Sequence, residues 1–211
     1  MKRAIFFDLD GTLWDAINEL KDSWNDAMEK NNYPYRFDYS LMKSFMGLTP
    51  QETCPLAFKD KTIDEGMKLF KICLDAEIKY LSEHPGKLYP NEREVLKELS
   101  SKYDLYVVSN ADKGYIENYL KIDGISMYFK GHLCAGDTNK DKHENINILK
   151  TQENIDEVIY VGDTLKDKNE TLLSNNKFIH AAYGFGEIPG YKYHINNLLE
   201  LPKMVEDLFN E

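Results

Sequence analysis

Ala4-Ile5-Phe6-Phe7-Asp8-Leu9-Asp10-Gly11-Thr12 decides the fold: an apolar, aromatic run stops abruptly at two acids and a glycine. Such a run, bounded by turn formers, predicts a buried strand, and a carboxylate at the carboxyl end of a strand stands where open α/β sheets bind their ligands. Side chains alternate along an extended backbone, so Asp8 and Asp10 project the same way if extension persists, and Gly11 relieves the turn that follows. Two carboxylates so close repel each other, and a hard, oxygen-seeking cation such as Mg²⁺ offsets that repulsion. Asp-x-Asp-Gly also occurs in calcium loops, but an EF-hand needs Gly at its sixth position and a helix before it, and this stretch has neither. An ordinary strand-ending turn is the competing reading, since Asp and Gly are common turn residues.

The 211 residues suffice for one sizeable core, or for a core domain carrying a smaller insertion. With 42% hydrophobic and 29% charged residues the composition is globular, and no apolar stretch approaches membrane-spanning length. Met1-Lys2-Arg3 begins as a signal peptide does, but Asp8 soon interrupts the apolar run, so no export segment and a cytoplasmic location are expected. Cys54, Cys73 and Cys134 are odd in number and widely spaced, which suits reduced packing thiols better than a disulfide framework or a zinc site. A net charge of -10, with arginine only at positions 3, 36 and 93, argues against an extended nucleic-acid surface. An acidic protein still binds a phosphorylated small molecule where a metal ion and well-placed donors make the site locally positive. The expected partner is therefore a small phosphorylated metabolite, with no nucleic acid or membrane, and the expected assembly is a monomer or weak homodimer.

Beyond the opening strand, residues 15–84 carry helix patterns and no convincing strand. Ile17, Leu20, Trp24, Ala27 and Met28 recur at helical spacing, as do Ile63, Met67, Phe70, Leu74, Ile78 and Leu81. Tyr33-Pro34-Tyr35 breaks the chain, and Met46-Gly47-Leu48-Thr49-Pro50 offers a glycine stop followed by a Thr cap with Pro next. From Pro85 onward strands alternate with helices. Asn91 is read as the cap of a helix through Leu99, Leu105-Tyr106-Val107-Val108 as a strand ending in Ser109-Asn110, and residues 132–135 as a further strand. Val158-Ile159-Tyr160-Val161 then runs into Gly162-Asp163, Phe178-Ile179-His180-Ala181-Ala182 forms one more strand, and Leu198 to Phe209 a closing helix. This alternation implies right-handed crossovers and a doubly wound parallel sheet, with a small all-helical cap inserted after the first strand. The division expected is a core of 1–14 and 85–211 and a cap of 15–84.

Sheet topology brings the strand ends to one edge. There Ser109 offers a hydroxyl and the next backbone N–H a second donor, both suited to a phosphoryl oxygen at a helix start, although a plain helix cap reads equally well. Asp163 directly follows a strand and is suited to ligate a metal, while Asp167, one helical turn on, braces the site; a solvated acidic helix start is the alternative. Function requires one cation beside Asp8 to hold two anions together, and spacing alone leaves Lys140 and Lys142 both open.

Together these segments resemble the haloacid dehalogenase-like (HAD) hydrolase superfamily over essentially the whole chain. Asp8-Leu9-Asp10-Gly11-Thr12 matches its first motif, Ser109-Asn110 its second, the lysine its third, and Gly162-Asp163-Thr164 with Asp167 its fourth. Related sequences place the third-motif lysine before an Asn-Ile pair, which Lys142-His143-Glu144-Asn145-Ile146 fits, favouring Lys142. The helical block is similar to the cap of the phosphoglycolate phosphatase-like branch. The resemblance implies that Asp8 attacks phosphorus to form an aspartyl-phosphate and that Asp10 protonates the leaving alcohol and later deprotonates water. It also implies Mg²⁺ held by Asp8, the Asp10 backbone carbonyl and Asp163, with Ser109, Asn110 and Lys142 on the phosphate. Dehalogenases lack an acid at the position of Asp10, so a phosphatase is expected.

The alternatives are a phosphomutase or pyrophosphatase of the same superfamily, or a non-catalytic HAD-fold binding protein. Pro50 stands where sugar mutases resemble one another in carrying Arg, and a non-catalytic protein is free to lose Asp8 or Asp10. Arg36, alone of its kind in the helical block, is the candidate for a second anionic group on the substrate, against the simpler reading of a solvated side chain.

Overall fold

The computed structural model describes residues 1–122 and 124–211. Its strands in chain order are β1 (Arg3–Phe7), β2 (Trp14–Asp15), β3 (Lys87–Leu88), β4 (Asp104–Ser109), β5 (Phe129–Cys134), β6 (Glu157–Gly162), β7 (Lys177–Ala181) and β8 (His194–Ile195). Its helices are α1 (Ile17–Lys30), α2 (Tyr39–Phe45), α3 (Pro50–Ala57), α4 (Ile63–Glu83), α5 (Glu92–Ser100), α6 (Tyr115–Leu120), α7 (Ala135–Thr138), α8 (Lys142–Gln152), α9 (Leu165–Leu173) and α10 (Leu201–Asn210). Six strands make one sheet in the order β5-β4-β1-β6-β7-β8, and every pairing in it is parallel.

Strand periodicity explains why the sheet is covered on both faces. Ile5, Phe7, Leu105, Val107, Ile159 and Val161 point into one apolar cluster with Val95 and Leu96 of α5, Ile116 of α6 and Leu208 of α10. The alternate residues, Ala4, Phe6, Tyr106, Val108, Val158 and Tyr160, point into a second cluster with Ile146 and Leu149 of α8. Both sets are apolar, so neither face of the central strands tolerates water, and a doubly wound α/β sheet results. The three cysteines are buried and free. Among the described residues no helix is long and apolar enough to cross a membrane.

Helices α1 to α4 follow β2 and precede β3, and those two short strands pair antiparallel, Trp14 opposite Leu88 and Asp15 opposite Lys87. The chain thus leaves the sheet and returns to it through one ribbon. Trp24 of α1 centres the helical block, with Phe37 and Phe70 edge-on to its ring and Phe45 tilted against it.

Local readings depart from the structure at several points. Asn91 precedes α5 in a left-handed conformation, φ 65°, and its side chain makes no cap hydrogen bond. β5 begins at Phe129, ahead of the 132–135 expected, because an outer strand half-exposed on both faces carries no clear alternation. The closing segment starts as a 3₁₀ turn, Leu198–Glu200, before α10 continues with Pro202 in its first turn. Gly47, Thr49 and Pro50 punctuate the chain as read: Gly47 follows the end of α2 with φ 77°, Thr49 is the N-cap of α3, Glu52 closes a capping box, and Pro50 is the first helical residue.

Candidate active site

β1 lies between β4 and β6, so successive connections leave it in opposite directions and its carboxyl end opens into a crevice. Asp8 follows β1, Ser109 ends β4 and Asp163 follows β6; all three are buried at that one edge. Lys142 is the first residue of α8, whose N-cap is Asp141. Its Nζ lies 2.9 Å from Asp8 Oδ1 and 2.5 Å from Asp167 Oδ1, above the Tyr160 ring, and the side chain is 1% exposed. Burial alone would lower the Lys142 ammonium, but the facing Asp167 and Asp8 carboxylates outweigh it and hold the group well above its ordinary value. Lys140 instead pairs with Glu144 at the surface.

The acids around this ammonium are committed differently. Asp167 spends one oxygen on Lys142 and the other on the Thr164 N–H and hydroxyl at the start of α9, so it is held rigidly. Asp163 Oδ2 accepts the Phe185 N–H at 2.7 Å, whereas its Oδ1 is buried without a partner. Burial first, then the neighbouring Asp167 and Asp8, push Asp163 well above the carboxylate range. Burial likewise raises Asp8 to about 6, against the pull of Lys142.

Asp8, Asp163 and Asp167 each offer an oxygen within 4.8 Å of the others. Buried, hard, mutually repelling oxygen donors with one of them orphaned are the donor set of a divalent cation such as Mg²⁺, and the residues present fit it. The Asp10 carboxylate stands outside that cluster and accepts from Trp14 Nε1–H at 3.0 Å and the Tyr115 hydroxyl at 2.8 Å. Burial, then Asp8, raise it to about 7, where an acid both gives and takes a proton near neutrality.

Close approach of two loops completes the edge. Gly11 has φ 80°, and a Cβ there would sit 2.3 Å from Asp163 Oδ2; only glycine serves both requirements. The loop after β7 supplies Phe185 and the backbone beside Gly11, and sequence reasoning did not single it out as part of the site.

Ser109 and Asn110 lie at the edge but not at a helix start, since α6 begins only at Tyr115. Ser109 Oγ accepts the Ala111 N–H at 3.3 Å. The Asn110 side chain reaches across to the helical block, where Nδ2 donates to the Gly47 carbonyl at 2.8 Å, and its Oδ1 is buried without a partner.

Above the edge the helical block closes a cavity of about 90 Å³ lined by Asp8, Asp10, Ser109 and Asn110 below and by α1, α2 and α4 above. Glu77 of α4 lines it too, 5% exposed, with Oε2 accepting Trp24 Nε1–H at 2.7 Å. Burial, together with Asp10 and Asp112, raises Glu77 to about 8, with Trp24 pulling the other way. Its signal was present in the sequence: Phe70, Cys73, Glu77 and Leu81 share the buried stripe of α4, so an acid sits where an apolar residue belongs. Arg36 faces away, its guanidinium on the Tyr33 and Tyr35 carbonyls and 3.5 Å from Glu29, largely exposed.

Residues 5–181 match the haloacid dehalogenase-like hydrolase family. The chain belongs to that family. It is 27% identical to a phosphoglycolate phosphatase of Vibrio parahaemolyticus, over 99% of this chain and 93% of the relative. It is 28% identical to a phosphoglycolate phosphatase of Aquifex aeolicus, over 87% of this chain and 86% of the relative. A haloacid dehalogenase-like hydrolase structure from Streptococcus pneumoniae superposes with a TM-score of 0.81 at 23% identity, covering 97% and 98% of the two chains, and shares the HAD fold.

Proposed function

We propose that this phosphatase of the HAD family hydrolyses a small phosphomonoester in two steps through an aspartyl-phosphate on Asp8, with residues 15–84 acting as a cap over the site. The observation that carries the reading is the Lys142 ammonium buried between Asp8 and Asp167 beside a cavity that also exposes the Asp10 carboxyl. Lys142 takes only one oxygen of Asp8, leaving Oδ2 to attack phosphorus. As the phosphorus–oxygen bond to the alcohol breaks, Asp10 gives that oxygen its proton; it then takes a proton from the water that attacks the Asp8 phosphoryl group, releasing phosphate. Tyr115 and Trp14 keep the Asp10 carboxyl aimed, and Lys142, the Ser109 hydroxyl and the Asn110 N–H hold the phosphoryl oxygens. Mg²⁺, which Asp8, Asp163 and the Asp10 backbone carbonyl would hold with Asp167 bracing them, supplies positive charge against the phosphoryl oxygens.

The substrate is a small phosphorylated metabolite, and the relatives' name makes phosphoglycolate the reference ester. Hydrolysis is favoured over a mutase reading because Pro50 starts α3 at the cavity wall where a mutase-like arginine would stand. Phosphate release from an aryl phosphate, with and without Mg²⁺, tests the proposal. Wild type is expected to require the metal, and Asp8→Asn, which keeps shape and removes charge, to lose turnover while retaining its far-ultraviolet circular dichroism. Appreciable activity in folded Asp8→Asn would rule out the nucleophile.

A further inference from the structure

The walls of the cavity indicate which alcohol leaves. Its apolar side consists of Leu20, Trp24, Met42, Phe45, Phe70 and Leu74. Besides the reacting carboxyls of Asp8 and Asp10, the acceptors that line it are Glu77, Asp112 and Asn110 Oδ1, and the Ser109 and Thr53 hydroxyls line it as well. The Asn110 amide orientation follows from its partner, because the Gly47 carbonyl requires the NH₂ and so turns the oxygen the other way. A buried acceptor without a partner awaits a donor. Two nearby donors are spent, Trp24 Nε1–H on Glu77 and the Tyr115 hydroxyl on Asp10. Among the described residues no lysine, arginine or histidine lines the cavity.

An anionic tail placed here finds no basic side chain to neutralise it, whereas an ammonium tail draws the proton from Glu77, held up at about 8 by burial, and meets a carboxylate and aromatic faces, the two features that bind ammonium groups. The volume, about 90 Å³ where one water needs roughly 10–15 Å³, admits a group of only a few heavy atoms. We propose, on the basis of the phosphatase reading above, that the cavity receives a cationic leaving group: the substrate is the phosphate monoester of a small amino alcohol, its ammonium held by Glu77 and Asn110 Oδ1 among the cavity's aromatic side chains. The chemistry at phosphorus is unchanged. The ester oxygen leaves with the proton of Asp10, and the ammonium keeps its own protons throughout.

Four esters separate the possibilities when kcat/KM is measured with Mg²⁺: phosphoethanolamine, phosphoglycolate of matched size and opposite tail charge, uncharged propyl phosphate, and an aryl phosphate. Phosphoethanolamine is expected to exceed phosphoglycolate by roughly tenfold or more, with propyl phosphate between them. Glu77→Gln, which keeps the shape and an acceptor for Trp24, should bring the phosphoethanolamine to propyl phosphate ratio close to one; if that variant does not fold, the wild-type ranking decides alone. Phosphoglycolate turned over as well as phosphoethanolamine, or propyl phosphate turned over better, overturns the assignment. Hydrolysis of the aryl phosphate alongside either result leaves the phosphatase reading standing, whereas hydrolysis of none of the four overturns both.

Discussion

Lys142 and Lys140 stand two positions apart and differ completely in what surrounds them. Lys142 is buried between Asp8 and Asp167, while Lys140 forms a surface pair with Glu144. Lys142→Ala should therefore lose on the order of 2–4 kcal/mol of transition-state stabilisation in kcat/KM, and stability as well, because two buried carboxylates are left facing each other. Lys140→Ala should be near neutral on both counts, and the reverse ranking would assign the proposed phosphate contact to Lys140 instead. A second residue tests the physics of the core away from the site. Glu92 of α5 is buried, Oε1 accepts the Tyr119 hydroxyl at 2.6 Å, and Oε2 has no partner. Burial raises its carboxyl from 4.5 to about 8, with Tyr119 and Arg93 only partly opposing. Between those values the folded chain binds a proton that the unfolded chain has released, so stability present at pH 4.5 is lost as pH rises through 8. Glu92→Gln should gain on wild type in unfolding free energy from pH 5 to pH 9, by an amount on the order of a few kcal/mol and read as a widening difference in thermal midpoint; a constant difference would contradict the assignment. The positions of Asp8, Asp10 and Asp163 were legible in sequence because each follows an apolar run at a strand end, whereas Lys142 was separated from Lys140 only by the likeness of Lys142-His143-Glu144-Asn145-Ile146 to related sequences. Glu77 left a trace as an acid in an apolar stripe, but its place in the cavity, like those of Tyr115 and the Asn110 side chain, depends on how the helical block seats on the sheet.

Helix α3 shows how one capping motif serves two purposes. Thr49 and Glu52 close its first turn, with Glu52 Oε2 accepting from the Thr49 N–H at 2.7 Å and hydroxyl at 2.8 Å. The same Glu52 carboxylate pairs with Lys166 of α9, across from the helical block to the sheet side. Losing a helix cap costs about 1 kcal/mol, and a half-exposed ion pair adds less. Glu52→Ala should lower the thermal midpoint by roughly 2–5 °C for a chain of this size. It should also raise KM more than it lowers kcat, since closure of the block over the site loses a contact and the reacting groups do not. An unchanged midpoint and KM would show that neither contact contributes. The Thr49-Pro50 signal was readable because capping is local, spanning a few consecutive residues. The short β8 and the left-handed Asn91 were not, since a two-residue strand has no period and a backbone conformation set by packing has no composition.

At the scale of the molecule, an acidic chain of net charge -10 places the one deeply buried lysine among its described residues where three carboxylates meet. The parallel sheet makes that possible, because its order places β1 between β4 and β6 and gathers their ends. This much followed from strand and helix alternation. How the helical block closes, and hence what the cavity accepts, did not, because Trp24, Phe45, Phe70 and Glu77 lie far from the strand ends in sequence and meet them only through the β2–β3 ribbon. Passage of phosphorus through Asp8 is directly testable. Acid quenching during turnover of an aryl phosphate, followed by borohydride reduction, converts an aspartyl-phosphate into homoserine, which peptide mass spectrometry locates by residue. Homoserine at position 8 in wild type, dependent on substrate and Mg²⁺ and absent from Asp8→Asn, is the predicted result; reduction at a different acid, or none in protein that is turning over, would contradict it.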